Sequence, residues 1–142
     1  MKDTIALLKE CNAGCKSATN SMEQVRSYVK DERLKHLITH YNDRHIALGD
    51  ECHVMLEELG ASERDPNPIP AAMAKLSSSI KLTVNSDTSH VAELLTDGCN
   101  MGLKSLARYH NKYENASPEA KRLASDLISL ELDMARDLLA FI

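Results

Sequence analysis

The apolar and small side chains of this chain recur at gaps that alternate between three and four residues, the spacing that keeps one face of a helix against a neighbour. Leu8, Cys11, Cys15, Ala18, Met22, Val25 and Val29 form a first such stripe and predict a helix over about 4–28, capped by Asp3 or Thr4. Leu34, Ile38, Tyr41, His45, Leu48, Cys52, Met55 and Leu59 form a second, over about 31–59, begun by Asp31 or Glu32 and closed by Gly60. Ala92, Leu95, Cys99, Gly102, Leu106, Tyr109 and Tyr113 define a third over about 88–113, entered through the turn Asn85-Ser86-Asp87-Thr88. Ser117-Pro118-Glu119 is a strong start signal: a capping hydroxyl, proline at the first helical position and an acid in the first turn. It opens a fourth helix over about 117–141, whose face is Ala120, Leu123, Leu127, Leu130, Met134, Leu138 and Phe141.

The first and third connections are a few residues long, so each joins antiparallel neighbours. The second is different. Residues 61–70 carry Pro66, Pro68 and Pro70, which stop any helix. A shorter helix is expected at about 71–84, with Met73, Leu76 and Ile80 on one face. The link from Gly60 to Asp87 is long enough to cross the bundle end to end and let the second and third helices run parallel. The expectation is one all-α domain over 1–142, an antiparallel four-helix bundle with a short extra helix in its long connection.

Composition agrees with that picture and narrows the function classes. A chain of 142 residues holds one domain with a real core. With no Trp and a single Phe, that core must be aliphatic, with Met and Cys filling gaps. The net charge of −4 and the lack of a basic tract argue against nucleic acid. No run is apolar and long enough to span a bilayer, and the chain opens directly into an amphipathic pattern, so a cytoplasmic protein without membrane insertion is expected. Its four cysteines are then expected as free thiols; no CxxC pair is present.

The layout resembles bacterial ferritin-like proteins grouped under a domain of unknown function, distant relatives of rubrerythrin and bacterioferritin. The likeness is carried by Asn12-Ala13-Gly14-Cys15-Lys16-Ser17-Ala18, by Glu51-Cys52 with Leu56 and Leu59-Gly60, by Asp97-Gly98-Cys99-Asn100 through Tyr109, and by Ala135-Arg136-Asp137. It implies a ferritin-like topology. Members with a two-iron site place a Glu on the first and third helices and a Glu-x-x-His on the second and fourth. Matched residue by residue, this chain departs from the pattern. Ser17, Cys99 and Arg136 stand where acid, acid and histidine would be, and Glu131-x-x-Met134 is the closest approach on the fourth helix. Only Asp50-x-x-His53, with Glu51 beside it, keeps ligand chemistry. No cofactor is therefore expected, and ferroxidase activity is not.

Cys15, His45 and Cys99 fall near mid-height of such a bundle, with Cys11 at the level of Cys52 and Cys15 near His45. Two thiolates and an imidazole suit zinc or another thiophilic metal. The plainer reading is that buried cysteines act as small hydrophobes and His45 bonds to a neighbour. His36 and His40 share a helical face, which is ordinary for a solvated surface. The apolar residues of 68–84, among them Val84, need a surface to pack on, which favours a homodimer. The sequence thus points to a non-catalytic ferritin-like bundle working through protein–protein contacts. The alternative is a metal-binding or redox bundle, with iron or zinc, in which core Cys and His replace carboxylates; its candidate ligands are Cys15, His45, Asp50, Glu51, His53 and Cys99.

Overall fold

The computed structural model of the chain describes residues 1–62 and 87–142. Four helices account for most of them: α1 Lys2–Arg26, α2 Glu32–Glu58, α3 Thr88–Lys112 and α4 Pro118–Leu138, followed by a single 3-10 turn, Leu139–Phe141. No strand occurs among the described residues. The helix expected at 71–84, with Met73, Leu76, Ile80 and Val84, lies outside them.

Local chemistry accounts for the helix ends. Asp31 accepts from the backbone N–H of Arg33 at 2.8 Å and of Leu34 at 3.2 Å, Asp87 from His90 at 2.9 Å, and Ser117 from Ala120 at 3.2 Å. The α2 terminus closes with two reversed bonds, Ala61 N–H to Leu56 C=O and Gly60 N–H to Glu57 C=O, each 2.9 Å. They require the left-handed backbone that Gly60 adopts at φ 69°. The first helix departs from expectation. It begins at Lys2, with no side-chain cap. Asp3 and Thr4 lie inside its first turn and accept instead from Asn115 N–H (3.1 Å) and Ser117 N–H (2.8 Å) of the α3–α4 loop.

Those two bonds set the helix directions. The start of α1 meets the end of α3 and the start of α4, while Tyr41 and His45 of α2 meet Asp137 and Glu131 of α4. Hence α1 and α4 run one way, α2 and α3 the other, and the end of α2 and the start of α3 lie at opposite ends of the bundle. The hairpins α1–α2 and α3–α4 are the tightest pairs; α1 and α4 each touch all three other helices, whereas α2 and α3 scarcely meet.

That arrangement explains a difference from the simple stripe. Because α1 and α4 lie on the short diagonal, their buried faces are wider: Leu7 and Asn12 join the α1 stripe, and Ala124 and Glu131 join that of α4. On α2, Leu48, Met55 and Leu59 are only half-buried, and Leu56 and Asn42 turn inward. The core is aliphatic, as expected, with all four cysteines inside it.

Candidate functional site

Mid-bundle the interior becomes polar. His45, on the α2 stripe, is fully buried, and Glu131 of α4 is 6% exposed. The imidazole Nδ1 stands 2.7 Å from the carbonyl oxygen of Tyr41, one turn back on its own helix. A carbonyl only accepts, so Nδ1 carries a hydrogen and donates it. The other ring nitrogen, Nε2, is hydrogen-bonded to a Glu131 carboxyl oxygen. Neither group can make that contact without one proton between them. Cys99 of α3 lies beside Glu131; burial, and then the Glu131 carboxylate next to it, push its thiol well above the ordinary range. The Glu131 carboxyl group thus has a hydrogen-bond partner from α2 and a thiol of α3 beside it. Gly102 leaves room beside it: a Cβ at that position would lie 3.6 Å from Oε2.

A second group of thiols lies toward the α1 start. Cys11 and Cys52 are hydrogen-bonded across α1 and α2, and this bond, with burial behind it, drives the Cys11 pKa up steeply. Burial, with the neighbouring Cys52 and Glu131 behind it, does the same to Cys15. Such thiols stay protonated, and the protonated form is a poor nucleophile and a poor ligand. Cys15 packs against Gly49: a Cβ on Gly49 would come within 3.3 Å of its Cβ. The level match of Cys11 with Cys52 agrees with the sequence reading.

Below His45, Tyr41 is 2% exposed and donates its hydroxyl to Asp137; burial first, and then this bond and the Asp137 charge, raise its pKa. Two buried polar atoms find no partner among the described residues, Asn12 Nδ2 and Asn42 Oδ1.

The remaining expected residues are elsewhere. Asp50 and Glu51 are exposed, and His53 faces outward with its Nε2 3.1 Å from Glu57. His36 and His40 are exposed. Ser17 is half-buried, and the side chain of Arg136 is 71% exposed and paired with Asp133. The acid–histidine spacing of Asp50-x-x-His53 is real, but the buried positions of α2 are His45, Cys52 and Leu56, which leaves 50, 51 and 53 off the stripe. The three-residue pairs that do point inward are Asn42-x-x-His45 on α2 and Glu131-x-x-Met134 on α4. Sequence reasoning missed Asn42, and named Glu131 only as the start of the closest approach to the ligand motif on the fourth helix, without counting it a candidate ligand. A carboxylate four residues after Leu127 and three before Met134 was the available signal.

Among the described residues no three His, Cys, Asp or Glu side chains stand close enough together to hold a metal ion. A shallow recess at the α1 start, lined by Met1, Met55, Glu58, Asn115 and Glu119, does not reach the His45–Glu131 layer. No helix of the described residues is long and apolar enough to cross a membrane.

No family model matches this chain, and no curated protein does. Among solved structures it is similar to the crystal structure of a conserved hypothetical protein, Rv2844, from Mycobacterium tuberculosis. The TM-score is 0.63 over 94% of this chain and 97% of that one, at 15% identity. At such identity the likeness concerns fold alone.

Proposed function

We propose that this chain is a ferritin-like bundle without a two-iron site, which acts by presenting helical surfaces to protein partners rather than by catalysis. The topological half of the reading is supported by the parallel course of α2 and α3. The chemical half rests on one observation: the single buried carboxylate and the single buried imidazole among the described residues, Glu131 and His45, are bonded to each other. A two-iron centre in such a bundle draws on four carboxylates and two imidazoles. At the inward three-residue pairs, Asn42 stands for an acid and Met134 for a histidine, and the interior residues of α1 and α3 near this layer are the thiols Cys15 and Cys99. An amide and a thioether supply no negative charge to Fe(II) or Fe(III), so these residues do not fit that centre.

The surface half is supported by large apolar side chains left outward on α2, α4 and the 3-10 turn: Ile46 at 42% exposure, Val54 at 50%, Leu132 at 54% and Leu139 at 60%. A second copy is the partner proposed here, giving a homodimer.

Elemental analysis of protein purified without chelator, with a free-thiol count and light scattering, tests the proposal. No stoichiometric metal, four free thiols and a dimeric mass are expected. One zinc per chain would favour the alternative, in which Cys15, His45, Cys99 and Glu131 gather round a thiophilic ion; stoichiometric iron would end the non-catalytic reading.

A further inference from the structure

The two hairpins meet along stripes made mostly of leucine, alanine and valine. Such stripes pack almost equally well when one hairpin slides by a turn, because apolar contacts carry little directional information. The His45–Glu131 contact differs in kind. The Tyr41 carbonyl holds a hydrogen on Nδ1, so Nε2 alone faces α4 and must meet a group able to share a proton with it. One turn along α4 in either direction the buried side chains are Leu127 and Met134, and neither can do so. A slide would therefore leave a fully buried imidazole unpartnered and would strand Glu131 against apolar neighbours. On α3 the Cys99 thiol lies beside the same carboxylate, and on α1 the Cys15 thiol feels its charge. Two further bonds join the hairpins toward the ends of α4, Ser117 N–H to Thr4 and Tyr41 O–H to Asp137.

We propose that the buried His45–Glu131 pair is the register key of the bundle: it selects one docking of hairpin α1–α2 on hairpin α3–α4 and adds little net stability. Ion pairs taken out of water gain little over well-packed apolar groups of similar volume, whereas removing one partner is costly. The proposal does not depend on what the surface binds.

The test compares three full-length variants by thermal melting and by two-dimensional 1H–15N NMR in buffer with chelator, which keeps the outcome separate from any metal effect. Glu131→Gln retains a partner, since its side-chain N–H can donate to a neutral Nε2; one set of amide peaks is expected. Glu131→Leu leaves the imidazole alone and should melt lower than wild type. The double variant His45→Leu/Glu131→Leu should melt at or above wild type, yet show more than one set of peaks for residues on the hairpin–hairpin interface. A double variant with a single set of peaks and wild-type inter-hairpin contacts overturns the proposal, because the apolar stripes would then set the register unaided. A double variant that does not fold overturns it as well, because the pair would then supply stability and not selection.

Discussion

Four glycines sit inside helices, and replacement of three of them, Gly14, Gly49 and Gly102, by alanine separates close packing from mere helix weakness. An interior Gly→Ala change gains about 1 kcal/mol in helix propensity when the added methyl has room. At Gly102 the new Cβ would meet Glu131 Oε2 at 3.6 Å and Cδ at 3.7 Å, and at Gly14 it would meet Leu127 Cδ2 at 3.8 Å. These are ordinary contacts, so each change should stabilise by roughly 0.5–1 kcal/mol. At Gly49 the methyl would come within 3.3 Å of Cys15 Cβ. That atom is one bond from the α1 backbone and cannot swing away, so α1 and α2 must separate slightly. Overpacking of this kind costs about 1–3 kcal/mol, which cancels or exceeds the propensity gain. Gly49→Ala should therefore fall at least about 1 kcal/mol below Gly102→Ala, or some 3 °C in melting temperature for a domain of this size.

Urea unfolding followed by far-ultraviolet circular dichroism measures the difference as a shift in midpoint at constant slope. If Gly49→Ala stabilises as much as Gly102→Ala, the claim that a missing side chain sets the α1–α2 approach at Cys15 is refuted. Gly60→Ala is an internal control of opposite cause. Nothing lies near its added Cβ, but the left-handed φ of 69° makes any side chain unfavourable by about 1–2 kcal/mol.

Further outcomes follow from other features. Ser117→Ala removes the bond to Ala120 N–H and should cost about 1 kcal/mol in urea unfolding. Leu127→Ala, at a position 1% exposed, opens a cavity against α1 and should cost about 3–5 kcal/mol by the same assay. The four thiols, all buried, should resist iodoacetamide in the native protein and react together only in denaturant; one site alkylated at the rate of a free thiol would contradict their burial. Asp31 has its carboxyl pKa lowered by the Leu34 and Arg33 N–H groups, so its capping contribution is present above the unfolded carboxylate value of about 4 and fades as pH falls through the folded one. Between those values the urea midpoint of wild type should fall more steeply than that of Asp31→Asn, which caps without titrating.

The four helices were legible because their stripes are long and their breaks are chemically marked, Gly60 and Ser117-Pro118 above all. The α1 start was not: Asp3 and Thr4 look like caps, yet their side chains serve a loop more than a hundred residues away, which local pattern cannot register. The interior polar layer was half legible. His45 and the cysteines stand on the stripes, so their burial could be read. Glu131 sits directly after Leu130, and on a helix that touches three neighbours the buried face is wide enough to take both. A face drawn for two neighbours leaves the carboxylate outside. Asp50-x-x-His53 misled for the converse reason: it has a ligand pair's letters and spacing, but its phase relative to Cys52 and Leu56 turns it to solvent. Letters identify possible ligands; only phase identifies where they converge.

The polar groups are also unequally shared between the hairpins, and this bears on how the chain avoids pairing with itself. The first helix of each hairpin carries a Gly-Cys step that ends buried, Gly14-Cys15 and Gly98-Cys99. The second helices differ: α2 brings an imidazole and α4 a carboxylate to the same level. Two copies of α1–α2 would set His45 against His45, and two copies of α3–α4 would set Glu131 against Glu131. In the first case each Nε2 would lack an acceptor with its own negative charge, and in the second two carboxylates would repel or one would take up a proton. Only the mixed pairing satisfies both. Aliphatic stripes this similar would otherwise permit exchange of hairpins between chains, so the buried pair favours the heterologous docking of one hairpin on the other. A dimer built on Ile46 and Leu132 would then join finished bundles by their outer faces and leave the interior pairing intact.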